Sequence, residues 1–477
     1  MQSKKDRWQE DLFVASPLRD LVPTDHVLKR VDAVLDLSWL HDEVQGCYCQ
    51  DNGRPSIDPE SALRLMLAGF FQGIVQDRKL MREARVNLAI RWFAGYRLDE
   101  SLPDHSSLTR IRQRWGVERF KRIFQKTVRA CVDGGLVDGE TVHVDASLIR
   151  ADVSWQSLTT QHAESVLRES DAPEDAAPPK PPRGRPRTKA PKAKKRSATD
   201  PDATMTTNRR DQRLEPSFKQ HTAVDDRAGV VVDVSLTTGE VHEGGQLLEQ
   251  LERIETCIGT HIQTVTADKS YAHAANYDAL EHRATDAVIP PQAVARRPKH
   301  IPGSRFKYDA KQRVIRCPGG KKLVRKGYCE TAGGWRYRAC ARDCNACALR
   351  DRCFAASVKT RTIIIKDGYE ALLRARRRKA RGWDCATAEH YKRHRWRVEG
   401  AHGEAKTQHG LRRAARRGLV NAAIQVYLTA TVMNLKRLAR AHDPLLRALR
   451  RFWADIPRRN RHDTPNATVV PTVNIAA

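Results

Sequence analysis

The sequence predicts a mixed α/β protein with a helical segment in front and a small cysteine-rich insert within. Three observations predict it. Apolar residues recur at helical spacing up to about residue 135, and at Thr141 the texture switches to strand-like alternation. Beyond Thr141, strands come first as a hairpin and then alternate with helices, the order of a mixed layer. Six of the eleven cysteines fall between Cys317 and Cys353.

The elements follow from local signals. Asp58-Pro59 is a helix start, and Leu63, Leu65, Met66, Leu67, Phe70 and Phe71 fill a helix over Ser61–Val75. A second helix is expected from Arg78 to Phe93. Pro103-Asp104-His105-Ser106-Ser107 makes a turn and cap before Leu108–Trp115; Gly116 breaks that helix, and Val117–Val132 starts another. Two short helices around a glycine fit either a helix-turn-helix or two packed members of a bundle.

Thr141–Ile149 alternates like a buried strand. Lys219–Val224 and Val230–Leu236 flank a turn and suggest a hairpin. Leu247–Cys257 reads as a helix, Ile262–Ala267 as a strand, Ala274–Arg283 as a helix and Ala287–Ile289 as a short strand. Residues 171–217, rich in Pro, Lys, Arg, Asp and Ser, are expected to form a disordered linker whose basic centre, Lys180–Arg196, can touch phosphate. Pro465–Ala477 reads as a disordered tail. The chain therefore divides into a helical domain (1–135), a first core part (136–300), the cysteine-rich insert (301–357), a second core part (358–445) and a basic segment with the tail (446–477).

Charge narrows the partner. A formal net charge of +28 predicts affinity for a polyanion, nucleic acid first and an acidic membrane surface second. No apolar run approaches the ~20 residues that span a bilayer. The stretch MQSKKDRWQEDLF has no apolar signal region, so a reducing cytoplasm is expected, with thiols or metal ligands instead of disulfides.

Asp145 and Asp268 each close a predicted buried strand, where α/β sheets place ligands. Either alone would pass for a capping residue. On a helix expected over Thr387–Gln408, Tyr391, Arg395, Glu399 and Lys406 fall within an arc of about 80° at ~100° per residue. Intrahelical ion pairs would account for the charges but not for the tyrosine. Carboxylates are what phosphodiester chemistry with two Mg²⁺ (or Mn²⁺) ions needs, and Arg and Lys can clamp phosphate oxygens. Asp152 falls past its strand, and Glu404 lies ~140° around the helix from Glu399, so neither is preferred.

The order strand-Asp, strand-Asp, helix-Glu, with Tyr, Arg and Lys about the Glu, resembles the DDE transposases of bacterial insertion sequences. Their pattern is Y-x2-R-x3-E-x6-K. Arg395-x3-Glu399-x6-Lys406 matches it, and Tyr391 stands one residue farther upstream. The segments Asn87–Phe93, Leu102–Leu108, Arg417-Gly418-Leu419 and Asn434-Leu435-Lys436 extend the resemblance along the chain. It implies an RNase H-like core behind a helical domain for DNA binding or oligomerisation. It also implies Asp145, Asp268 and Glu399 as catalytic metal ligands, with Tyr391, Arg395 and Lys406 on DNA. A homo-oligomer would act on terminal inverted repeats and target DNA, in the bacterial cytoplasm at the nucleoid. Two rivals share these features: a non-catalytic DNA-binding regulator descended from a transposase, and a nuclease on the same core.

The insert carries its own signal. Cys317-Pro-Gly-Gly is a knuckle-like turn, and Cys344-x2-Cys347 with Cys353 completes a set for a structural tetrahedral Zn²⁺, with Cys340 and then Cys329 as substitutes. Buried thiols are the alternative. Related transposases often carry a similar cysteine insert between the second Asp and the Glu. Cys47 and Cys49 are read as incidental, and His143, His221 and His242 as structural support near the sheet.

Overall fold

A computed structural model describes residues 16–49, 56–154, 156, 158–160, 195–207, 214–292 and 300–442. The expected tail and basic segment at 446–477 lie outside the described residues, as does most of the expected linker.

Seven helices open the described chain: α1 (Leu18–Leu21), α2 (Val27–Asp32), α3 (Leu40–Val44), α4 (Pro59–Phe71), α5 (Asp77–Val86), α6 (Leu88–Phe93) and α7 (His105–Asp133). Asp58 caps α4 by accepting the Ser61 N–H at 2.7 Å, and Pro59 occupies the first turn, where no N–H is missed. The single helix expected over Arg78–Phe93 is two. Asn87 leaves the helix (φ −95°, ψ 108°) and its side chain accepts the Ile90 N–H, so it ends α5 and caps α6. Gly116 breaks α7 as expected, with φ 70° and ψ 168° inside an otherwise continuous 29-residue helix. A side chain at that φ would be strained. Both halves of α7 bury apolar residues, Ile111 and Trp115 before the kink and Phe120 and Phe124 after it. That favours the bundle over the helix-turn-helix.

The main sheet is built on β1 (Thr141–Arg150), β5 (Glu215–Asp225), β6 (Val231–Thr238), β7 (Thr264–Ala267) and β8 (Asp286–Val288). Its order is β6-β5-β1-β7-β8. β1 is antiparallel to β5 and parallel to β7, and β8 continues parallel to β7. Three short strands, β2 (Leu158–Thr160), β3 (Lys195–Ser197) and β4 (Thr204–Thr206), extend the sheet from the start of β5. The expectation of a disordered linker over 171–217 is corrected there: residues 195–197, 204–206 and 215–217 pair as strands. Their polar, basic texture hides this, because ladder hydrogen bonds need no apolar pattern.

Helices α8 (Leu247–Ile258) and α9 (Ala274–His282) follow β6 and β7. The insert forms a second, five-stranded antiparallel sheet from β9 (Lys307–Asp309), β10 (Val314–Arg316), β11 (Lys322–Cys329), β12 (Gly334–Ala339) and β13 (Thr362–Lys366). It therefore runs past the expected boundary at 357. Between β12 and β13 lie α10 (Ala341–Asn345) and α11 (Arg350–Cys353). The insert has its own small core of Phe306, Ile315, Leu323, Tyr337, Ala339, Cys344, Phe354 and Ile365.

The chain ends its described part with α12 (Tyr369–Arg381), α13 (Cys385–His394), a π-helical turn (Arg395–Glu399), α14 (Gly400–Gln408) and α15 (Leu419–His442). Apolar α15 packs on α7, α2 and α4 on one side and on β6 on the other. One continuous apolar core thus joins the opening helices to the sheet. No helix among the described residues is long and apolar enough to cross a membrane.

Candidate active site

Parallel pairing decides where the first two carboxylates go. Val144 of β1 stands opposite Ala267 of β7, so Asp145 and Asp268 leave neighbouring strands at the same level. Asp268 caps the turn Lys269–Tyr271, its carboxylate accepting the Ser270 N–H at 2.7 Å and the Ser270 hydroxyl at 3.2 Å. Asp145 is mostly buried, its side chain 23 % exposed. Burial pushes its carboxyl up to about 7; the Ala146 backbone N–H draws it down, and the charges of Asp268, Glu243 and Glu399 raise it again. Asp268 is raised chiefly by burial as well.

Glu399 comes from the π-helical turn, where the sequence predicted unbroken α-helix. Its side chain is 57 % exposed, with Arg395 Nε 3.3 Å from its Oε2. A π-turn takes up one extra residue. Tyr391 and Glu399 are eight apart, which in an α-helix leaves them about 80° apart; with one residue absorbed, the offset falls to about 20°. The Tyr391 hydroxyl is accordingly raised by burial and then by Asp268, Glu399 and Asp145 together. The additional residue upstream of Arg395 is thus accommodated by the turn, and Tyr391 lies within the electrostatic field of all three carboxylates. Arg395, at the start of the turn, points outward with 80 % of its side chain exposed.

A buried polar chain fixes this helix against the sheet. His394 Nδ1 meets Thr266 Oγ1 of β7 at 2.8 Å, Thr266 Oγ1 meets His143 Nδ1 of β1 at 2.7 Å, and His143 Nε2 meets Asp226 Oδ1 at 2.9 Å. Asp226, in the β5–β6 turn, also pairs with Arg393 at 2.9 Å and Arg397 at 3.4 Å on either side of His394. His143 is therefore structural, as expected; His221 likewise reaches only Thr237, at 2.9 Å.

Lys406 lies in α14 with its ammonium 2.5 Å from Ser147 Oγ of β1. Burial and Arg412 lower its pKa while Asp145 raises it. His402, which the sequence reading passed over, is buried one turn after Glu399, with Nδ1 3.7 Å from Asp145 Oδ2. Burial drops it to about 3, so it is neutral, and its Nε2 has no hydrogen-bond partner among the described residues. Spacing from Glu399 was the one signal for it. Trp396, also passed over, is 73 % exposed beside Glu399. The rejected Glu404 faces α15, bound by Lys436 at 2.8 Å and Arg437 at 3.1 Å, and Asp152 reaches Arg413 at 3.5 Å.

The carboxylates share an electrostatic field without closing up. Among the described residues no group of three or more His, Cys, Asp or Glu is drawn together tightly enough to hold a metal ion. Like charges repel, and Asp268 and Glu399 each turn to a local partner, Ser270 and Arg395. The donor set itself, carboxylate oxygens at the ends of two strands and one helix, suits a hard divalent cation.

In the insert, Cys317 makes the knuckle: its Sγ accepts the Lys321 N–H at 3.3 Å and its N–H donates to the Lys321 carbonyl at 2.9 Å. A Cβ placed on Gly319 would be 3.5 Å from Cys347 Sγ and 3.7 Å from Cys317 Sγ, so this glycine lies between the two sulfurs. Burial raises the Cys353 thiol, Arg361 lowers it, and Cys344, Cys317 and Cys347 raise it again. The four thiols are near enough to influence one another's ionisation, without closing into a tight group among the described residues. Cys340 is exposed, and Cys329 is engaged by Thr331 and Arg336.

Two family models match the chain: Transposase domain (DUF772) over residues 16–114 and Transposase DDE domain over residues 316–439. Both matched families are transposase families, the second of the DDE class. The DDE match spans the four cysteines, Tyr391, Arg395, Glu399 and Lys406 and stops short of Asp145 and Asp268, which stand on strand geometry alone. No curated protein matches the chain. Among solved structures, a cryo-EM piggyBac transposase synaptic complex with hairpin DNA is 11 % identical with a TM-score of 0.31, over 93 % of this chain and 82 % of that one. A Mos1 transposase paired-end complex with the left transposon end is 12 % identical with a TM-score of 0.17, over 52 % of this chain and 65 % of that one. At such TM-scores neither bears on the argument.

Proposed function

We propose that this transposase cuts and joins DNA at the ends of an insertion sequence, with two Mg²⁺ (or Mn²⁺) ions held by Asp145, Asp268 and Glu399. The observation that carries the reading is the parallel β1–β7 register, which sets Asp145 beside Asp268 under the helix that bears Glu399. The strand order β6-β5-β1-β7-β8, antiparallel on one side of β1 and parallel on the other, supports an RNase H-like core. When bound, the ions supply an activated water or 3′-hydroxyl and stabilise the leaving oxygen. Asp145 is kept protonatable by burial and so favours a cation that replaces the proton. Arg395 clamps a phosphate from the solvent side, Lys406 stands on the β1 side, and Tyr391 donates its hydroxyl toward the carboxylates or a phosphate oxygen. Exposed Trp396 offers a face for stacking on a base.

The same reading takes terminal inverted repeats and target DNA as substrates, a homo-oligomer as the acting species, the opening helices as DNA-binding or oligomerisation surface, and the bacterial nucleoid as the place of action. It also takes Cys317, Cys344, Cys347 and Cys353 as ligands of a structural Zn²⁺. The match to a transposase domain at 16–114 favours transposition over a nuclease on the same core.

The test is nicking of labelled DNA carrying the element's ends. Asp145→Asn, Asp268→Asn and Glu399→Gln should each lose several kcal/mol of transition-state stabilisation, roughly 10³-fold in rate, while DNA affinity stays near that of the parent. Nicking near the parental rate in any one of them removes that residue from the site.

A further inference from the structure

Between β6 and α8 the chain makes one tight turn, Glu243–Gly245, and this turn lies directly on the one that Asp268 caps. Gly244 sets the approach. A Cβ there would stand 2.5 Å from His273 Cδ2 and 2.9 Å from the Ser270 carbonyl oxygen, so a larger residue would push the two turns apart. Buried Asn276 joins them, its Nδ2 donating to the Gly244 carbonyl at 2.8 Å and to the Tyr271 carbonyl at 3.0 Å. His242 packs edge-on against His273 with ring centroids 4.8 Å apart and accepts the Gly244 N–H at 3.2 Å.

This scaffold carries a carboxylate inward. The Glu243 side chain is only 23 % exposed, and Lys219 of β5 stands 3.4 Å from its Oε2 while donating to the Val241 carbonyl at 2.8 Å. Burying a carboxylate costs free energy unless something charged uses it. Lys219 offsets part of the charge of Glu243, as Lys406 does for Asp145 and Lys269 for Asp268, yet burial still raises both aspartates.

A second observation points to a ligand at the same place. The Tyr271 hydroxyl is fully buried and finds no hydrogen-bond partner among the described residues, which is rare for such a group. The charges that bear on it are those of Asp145, Glu243 and Asp268. Those that bear on Tyr391 are Asp268, Glu399 and Asp145. Glu243 and Glu399 thus each act electrostatically on the strand-end pair, and each shares that field with a tyrosine.

We infer that Glu243 is a fourth carboxylate ligand of the divalent-metal site, beside Asp145 and Asp268, with the Tyr271 hydroxyl as hydrogen-bond donor to the bound carboxylates. This rests on the reading of Asp145, Asp268 and Glu399 as metal ligands. Four carboxylates neutralise two divalent cations, where three leave an excess positive charge in a partly buried site.

The experiment is a Mn²⁺ titration of the full chain without DNA, read by the electron paramagnetic resonance of free Mn²⁺. It compares the parent, Glu243→Gln, Glu243→Asp, Asp145→Asn and the exposed control Glu249→Gln, with unfolding temperature measured in chelator. Glu243→Gln should bind one ion fewer or bind the weaker ion about tenfold or more weakly, and Glu249→Gln should follow the parent. A Glu243→Gln isotherm that overlays the parent, while Asp145→Asn has lost binding, overturns this inference alone. Unchanged binding in Asp145→Asn overturns the underlying reading instead. Should Glu243→Gln fail to fold, Glu243→Asp keeps the charge on a shorter stem: weakened Mn²⁺ binding supports the assignment and an unchanged isotherm overturns it.

Discussion

A tyrosine hydroxyl in the field of three carboxylates is informative because its ring can be separated from its oxygen. Tyr391 stacks on His394 with an interplanar angle of 2° and meets Trp383 edge-on at 5.0 Å, so the ring is fixed by packing. Tyr391→Phe should keep that packing and the unfolding temperature while losing one hydrogen bond to a charged group, lowering DNA nicking about tenfold or somewhat more. Parental nicking in Tyr391→Phe would make Tyr391 a packing residue only. At this scale the sequence was readable where pattern accompanies chemistry. Asp145 and Asp268 end apolar runs, and Glu399 shares its spacing with Arg395 and Lys406. Glu243 and Tyr271 belong to no such pattern, and His402 has only its spacing from Glu399. Each is a single polar residue whose meaning comes from what the fold sets against it, as His402 on Asp145 shows.

Elements were legible to the extent that one face is apolar. β1, β5, β6, α8 and α9 fall within a few residues of their expected positions. The π-turn at Arg395–Glu399 was not, because it is set by tertiary contacts (Asp226 on Arg393 and Arg397, Thr266 on His394) and not by local propensity. The helix after it is fixed differently, through Glu404. Burial opposes ionisation of Glu404, but His409, Arg437 and Lys436 overcome it and hold the carboxyl well below its ordinary value of 4.5. A depressed folded-state pKa gives stability that is full above 4.5 and is lost as the pH falls below it. Glu404→Gln, which cannot titrate, should therefore be less stable than the parent at pH 7, by roughly 2–3 kcal/mol for a half-screened buried pair. The gap should close progressively as the pH drops under 4.5 in chemical denaturation measured across that range. A gap independent of pH would mean that packing of Glu404, and not its charge, holds α14 to α15.

At the scale of the whole molecule, sequence texture separated a helical domain from the core, yet α15 merges them. Its apolar faces bury against α7 and β6 together, and no composition shift marks a shared helix. The insert is the part that stands apart, with eight fully buried residues in its own cluster. So small a core seldom holds a fold without a staple such as a metal. Its two ends of the cysteine set come from different places, Cys317 on the β10–β11 turn and Cys344, Cys347 and Cys353 from α10, α11 and the link between them. An ion held by all four would tie the helical cap to the β10–β11 turn, whereas the backbone joins the cap to the sheet only through β12 and β13. Purified protein should carry about one zinc per chain, lost in Cys344→Ser and Cys347→Ser and retained in Cys340→Ser, whose side chain is exposed. Stripping the metal should speed amide hydrogen exchange through residues 301–366 while β1, β5 and α15 keep their protection, since their core is separate. Metal-free protein with an unchanged exchange pattern in the insert would show that the four cysteines are buried thiols and that the apolar cluster suffices.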